Sequence, residues 1–196
     1  MTHEELAERI RAVAYLEGDF TLRSGRKSSF YVDKYLFETQ PDILAELGRA
    51  LASRVTPRTT RIAGAELGGV PLAAAAAMAA ALPFVIVRNA KKGYGTDRPF
   101  EGALQAGDVV MLVEDIATTG GQVIEAARTL TDAGAAVEKI VAVVDRGEGA
   151  ADNVRQAGFT FETLFTAGDL RLGGSGDSNP SGWDGKKSSP GWTPRS

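Results

Sequence analysis

The chain has 196 residues, a net charge of −3, 43% hydrophobic and 24% charged residues, and no cysteine. That length suits one domain with a real core, and the proportions are those of an ordinary soluble globular protein. The charge excludes a global basic footprint for nucleic acid, and the missing cysteines exclude disulfides and thiolate metal sites.

The N-terminus, Met1-Thr2-His3-Glu4-Glu5-Leu6, is polar and acidic, unlike a signal peptide. Apolar residues at 6, 10, 13 and 16 predict a helix over 4–16. Residues 19–32 read as short strand pieces around the Ser24-Gly25-Arg26-Lys27 turn. Pro41 opens a helix to about Val55, because its missing N–H is harmless in a first turn. Residues 61–65 read as a strand, and Gly68-Gly69-Val70-Pro71 breaks it into an alanine-rich helix ending near Ala81. The stretch 70–87 is the most apolar, but Pro71, Pro83 and its alanines make it a core helix and a strand (83–87), not a membrane span.

Residues 89–107 lack periodicity and read mainly as a long loop. A strand over 109–113 and a helix over 121–133 follow, with Gly134 placed for a left-handed C-terminal residue. A strand over 138–144, a helix over 150–156 and a strand over 159–165 complete the series. Strands alternate with helices from residue 41 onward, which predicts an α/β fold with a central parallel sheet flanked by helices. From Gly173 no apolar period can be found, so residues 1–172 form the expected domain and 173–196 a disordered tail. Trp183 and Trp192 in that tail could instead serve as a docking peptide.

The richest chemistry lies in Glu114-Asp115-Ile116-Ala117-Thr118-Thr119-Gly120-Gly121, directly after the apolar run from Val109. A buried strand delivers two acids to the carboxyl edge of a sheet, where ligands bind in open α/β folds. The turn behind them offers N–H groups and Thr hydroxyls to an anion at a helix start. An acidic pair for a diol beside a phosphate cradle suits a sugar phosphate. The run is neither a Walker loop nor a dinucleotide fingerprint. Acids at a helix N-terminus are also favourable with no ligand at all.

Four further segments carry polar chemistry. Residues 18–33 gather Arg23, Arg26 and Lys27 with Phe30 and Tyr31 around a tight turn, which reads as a phosphate and base contact or as a solvated hairpin tip. Gly64-Ala65-Glu66-Leu67-Gly68-Gly69 permits close backbone approach before a helix, or is a plain strand–helix turn. Arg88-Asn89-Ala90-Lys91-Lys92-Gly93-Tyr94-Gly95 reads as a flexible basic lid or as a solvated loop. Arg146, at a strand end, points to the same sheet edge as Asp115; its fork suits a carboxylate or a structural pair with an acid.

The Glu114–Gly121 run resembles the phosphoribosyl pyrophosphate (PRPP) motif of the type I phosphoribosyltransferases. Thr21-Leu22-Arg23-Ser24-Gly25 and its flanks look like the N-terminal hood (mainly 15–40) of orotate phosphoribosyltransferases. The resemblance covers about 15–170. It implies transfer of ribose 5-phosphate from PRPP to orotate, giving orotidine 5′-monophosphate and pyrophosphate in de novo pyrimidine biosynthesis. It implies that Lys92 and Asp115 are catalytic. PRPP would be held by Arg23, Arg88, Lys92, Tyr94, Glu114 and Asp115, with Ile116, Ala117, Thr118, Thr119, Gly120, Gly121 and Gln122 around the 5-phosphate. Tyr31, Thr118 and Arg146 would contact orotate.

By the same resemblance, Mg²⁺ arrives on PRPP with no direct protein ligand. The partners are PRPP, orotate and a second copy of the chain, sharing the lid loop 89–101 across a homodimer. Nucleic acid and membrane are not expected partners, and the cytoplasm is the expected compartment. Asn89 stands where a Lys is usual, and Tyr94 where a His is usual. The alternatives are a non-catalytic regulator on the same fold and a purine phosphoribosyltransferase.

Overall fold

A computed structural model describes residues 1–21, 27–89 and 99–172. The sheet at its centre has six strands in the order β5-β4-β3-β6-β7-β8. They are β3 (Arg61–Ala65), β4 (Phe84–Val87), β5 (Phe100–Glu101), β6 (Val109–Ala117), β7 (Ala136–Asp145) and β8 (Phe161–Thr166). All pairings are parallel except β4 with β5. The parallel sheet expected from the βα alternation is therefore present, with one antiparallel edge strand.

Side-chain alternation along β6 explains the layering. Met111 and Val113 pack with Leu47, Leu72 and Ile10 on one face, whereas Val110 and Leu112 pack with Val123, Leu130 and Val154 on the other. Successive residues of a strand point to opposite faces, so a strand apolar on both needs helices on both. Those helices are α1 (His3–Ala14), α3 (Pro41–Ala52) and α4 (Gly69–Ala80) on the first side, and α5 (Gly121–Asp132) and α6 (Ala150–Gln156) on the second. Gly134 has φ +88°, the left-handed turn expected after α5.

Four details differ from the sequence expectation. Tyr15 and Leu16 leave the first helix and begin β1 (Tyr15–Thr21), which pairs antiparallel with β2 (Lys27–Val32). A period-4 apolar pattern cannot distinguish a last helical turn from the first strand residues beyond it. One turn of helix, α2 (Lys34–Glu38), follows the hairpin; it is too short to show a period. β5 lies inside the segment read as loop, held by two register pairs to β4. β6 runs through both acids to Ala117, paired with β7 as far as Ala117 and Asp145. Arg23, Lys92, Tyr94 and the 173–196 tail lie outside the described residues.

Candidate active site

β6 carries Glu114 and Asp115 to the carboxyl edge of the sheet, and the turn after it enters α5 through Gly120 at φ +79°. That left-handed φ favours glycine. A cavity of about 60 Å³ opens there, lined by Glu114 and by residues 116–123. No side chain caps the N-terminus of α5. Its first N–H groups lack partners inside the helix, so the cradle offers both hydrogen bonds and the positive end of the helix dipole to an anion. Asn153 steadies the turn by donating its Nδ2 to the Thr119 carbonyl at 2.9 Å.

Asp115 is 2% exposed. Its Oδ1 accepts the Ile116 N–H, and its Oδ2 accepts from the Lys34 ammonium at 2.5 Å. Glu38, on the same helix α2 as Lys34, is also buried, and both its carboxyl oxygens lack hydrogen-bond partners, as does Glu114 Oε2. Gly68 brings the acids together. A Cβ placed there would lie 1.7 Å from Asp115 Oδ2 and 2.9 Å from Glu38 Oε1. The turn before α4 is thus pressed against the acid cluster and has no room for a side chain.

Electrostatics follow from this packing. Burial, then repulsion from Asp115, pushes the Glu38 carboxyl from 4.5 up to about 8. The same two causes raise Glu114 well above the usual carboxylate range. Burial disfavours the Lys34 ammonium, but its hydrogen bond and charge pairing with Asp115 more than offset this and raise its pKa.

The folded chain therefore keeps a proton on Glu38 that the unfolded chain releases above about pH 4.5. Stability contributed by this group is full below that pH and is lost as pH rises toward about 8. Glu38→Gln is expected to stabilise the fold at pH 8.5 by on the order of 1–3 kcal/mol, the cost of a poorly satisfied buried polar group, and to change little at about pH 4.5. Thermal melts across this range check it; equal shifts at both ends would refute it.

The second strand end expected at the site is where it was anticipated. Arg146 follows β7, and its backbone N–H donates to the Ala117 carbonyl at 3.0 Å. Its guanidinium Nε lies 3.1 Å from Glu148 Oε1. Tyr31 is not joined to this group. Among the described residues it makes no hydrogen bond with Thr118 or Arg146, and its ring sits 5.6 Å from that of Phe20.

Arg88 and Asn89, after β4, are tied to the turn before α4. Arg88 Nη1 lies 3.4 Å from Glu101 Oε1 and 4.0 Å from Glu66 Oε1. Asn89 donates its Nδ2 to the Glu66 carbonyl at 2.7 Å and its backbone N–H to Glu66 Oε2 at 3.3 Å. The Glu66 N–H donates to Val87 at 2.9 Å, and the Glu66–Leu67 peptide is cis. Asn89, where a Lys is usual, works here as an amide strut between two loops.

The sequence placed the α5 turn and Arg146 at one sheet edge, as the structure has them, but did not single out Lys34, Glu38 or the steric role of Gly68. Lys34 and Glu38 are spaced i, i+4, the only signal for a shared helical face.

Residues 37–166 match the phosphoribosyl transferase domain. The orotate phosphoribosyltransferase of Methanocella arvoryzae is 45% identical over 167 residues, 85% of this chain and 95% of that protein. This chain belongs to the orotate phosphoribosyltransferase family. The solved orotate phosphoribosyltransferase of Aeropyrum pernix superposes with a TM-score of 0.75 at 31% identity, covering 90% of this chain and all of that one. The Mycobacterium tuberculosis orotate phosphoribosyltransferase solved with PRPP gives a TM-score of 0.73 at 30% identity, over 87% of this chain and 98% of that one. Family membership and the type I phosphoribosyltransferase fold therefore agree with the motif reading.

Proposed function

We infer that this orotate phosphoribosyltransferase joins orotate to the anomeric carbon of PRPP as the bond to pyrophosphate breaks, releasing pyrophosphate and orotidine 5′-monophosphate. The observation that carries this reading is the α5 cradle at residues 116–123, with Glu114 and Asp115 at its edge. The reaction builds positive charge on the ribosyl ring and negative charge on the leaving group. A fixed carboxylate beside the ring and N–H groups around phosphate stabilise that separation without a covalent intermediate.

Glu114 and Asp115 bind the ribose hydroxyls, and residues 116–122 bind the 5-phosphate. Thr118, Arg146 and Tyr31 orient orotate, with Tyr31 brought in from the hood. Arg88 neutralises pyrophosphate, together with Arg23, Lys92 and Tyr94. Among the described residues no group of three or more His, Asp or Glu has metal-site geometry, and Glu114, pushed up by burial and Asp115, is a poor cation ligand. Mg²⁺ would arrive on the pyrophosphate oxygens of PRPP, where it would offset their charge. A homodimer sharing loop 89–101 belongs to the same reading, and Met78 and Leu67, 84% and 64% exposed, are apolar surface that a second copy could cover. No described helix is long and apolar enough to cross a membrane. The cytoplasm is the compartment this reading implies.

Purified protein with PRPP and Mg²⁺ should consume orotate, read as loss of orotate absorbance, and leave hypoxanthine, adenine and uracil untouched. Turnover of a purine instead would support the purine alternative. PRPP binding without any turnover would support the regulator. Arg146→Ala should raise the orotate KM at least about tenfold, the loss of one charged hydrogen-bonding group, with little change in the PRPP KM.

A further inference from the structure

The hood helix α2 supplies a cation that the PRPP motif does not contain. Asp33 caps that single turn, its Oδ1 accepting the Tyr35 N–H at 3.1 Å. Phe37, fully buried, pins the turn in the core. Lys34 and Glu38 then project together toward β6. Lys34 Nζ reaches Asp115 Oδ2, and Glu38 meets Asp115 at Gly68.

Three carboxyls, Glu38, Glu114 and Asp115, thus share one ammonium. As a structural device this would be poor, because a buried ionic cluster is often less stable than an apolar one of the same volume. It is also unfinished: Glu38 Oε1 and Oε2 and Glu114 Oε2 are buried without partners. Buried carboxyl oxygens without partners at the edge of the α5 turn match a ligand rich in hydroxyl groups, which can both donate and accept.

We propose that Lys34 is a positioning residue for the ribose-binding acids, holding the Asp115 carboxylate in place and supplying the counter-charge that lets the three carboxyls stand together. The proposal rests on the reading of Glu114 and Asp115 as the acids that hold the ribose hydroxyls. The groups that face the cluster are Asp33, Lys34, Tyr35 and Glu38 from the hood, and Glu114 and Asp115 from β6. The turn before α4 meets it with Gly68; the acid of that turn, Glu66, is engaged by Arg88 and Asn89. Lys34 pulls Glu38 and Glu114 toward ionisation, against burial and their acidic neighbours. Without it both hold their protons to higher pH.

The test compares wild type, Lys34→Met and Lys34→Arg in kcat/KM for PRPP from pH 5 to 9. Lys34 is 32% exposed, so both variants should fold, which melts will confirm. Lys34→Met is expected to lose at least about tenfold at pH 7, mostly in the PRPP KM. Its acid limb should move up by about one pH unit, the scale set by an opposite charge at this range. Lys34→Arg should keep the wild-type limb. A Lys34→Met limb that coincides with wild type overturns the proposal, whatever its rate. Wild type that binds PRPP but transfers it to no base would overturn the orotate reading instead. The same comparison is then made in PRPP affinity by calorimetry, where a shifted limb supports the positioning role and an unshifted one overturns it.

Discussion

Gly68→Ala is expected to lower kcat/KM for PRPP by at least about 10²-fold while leaving a folded protein. The backbone at Gly68 is ordinary, with φ −67° and ψ −29°, so alanine meets no conformational objection. Space alone decides the outcome. The new methyl would stand 1.7 Å from Asp115 Oδ2 and 2.9 Å from Glu38 Oε1. Asp115 is a short side chain, 2% exposed and held by Lys34, so it can yield only by leaving its position. A displacement of about 1 Å at a reacting centre costs roughly 10²-fold. Steady-state kinetics beside a thermal melt separates this from unfolding. A folded Gly68→Ala with wild-type kcat/KM would contradict the placement of Asp115 at the ribose.

Gly64→Ala should act on stability instead. Gly64 lies in β3, between β4 and β6 at the centre of the sheet. Its Cβ would fall 2.2 Å from the Gly69 carbonyl oxygen, 2.6 Å from the Gly69 carbonyl carbon and 2.8 Å from Ala73 Cβ. The obstacles are backbone atoms at the start of α4, so no rotamer change relieves them. Gly69 cannot retreat freely either, since a Cβ on it would already lie 2.9 Å from the Val113 carbonyl. Overpacking of a dense core costs about 1–3 kcal/mol, and backbone obstruction puts this case at the upper end or above. Against a total of about 5–15 kcal/mol that is a large fraction. At about 2–4 °C per kcal/mol for a chain of this size, the melt should fall by roughly 6–12 °C. A fall under about 2 °C would show that α4 can move away from β3. The two glycines, four residues apart, thus separate a catalytic spacing from a structural one.

The cradle was legible because its parts are contiguous: strand, acids, hydroxyl-bearing turn and helix follow each other in 109–132, so local pattern specifies their geometry. The strand–helix alternation was legible for the same reason, each element being long enough to show its period. β5 was not, because two residues pair with β4 only once the chain has returned to it. Tyr31 shows the opposite case. The family pattern assigns it to orotate, and in this structure its ring lies 5.6 Å from that of Phe20 on the hairpin, with no hydrogen bond to Thr118 or Arg146 among the described residues.

By itself, then, the amino-acid sequence determined the α/β class, the family and the strand–turn–helix that carries Glu114 and Asp115 into α5, all properties of contiguous segments read through spacing and residue type. Tertiary structure alone decided what surrounds Asp115. Lys34 is 81 residues from it in the chain, and their contact at 2.5 Å exists only because Phe37 anchors α2 in the core. It alone also turned Asn89 from a missing cation into a strut on Glu66. Burial and proximity are properties of the packed chain, and they decide which acid holds a proton, which glycine must stay a glycine and which lysine faces the site.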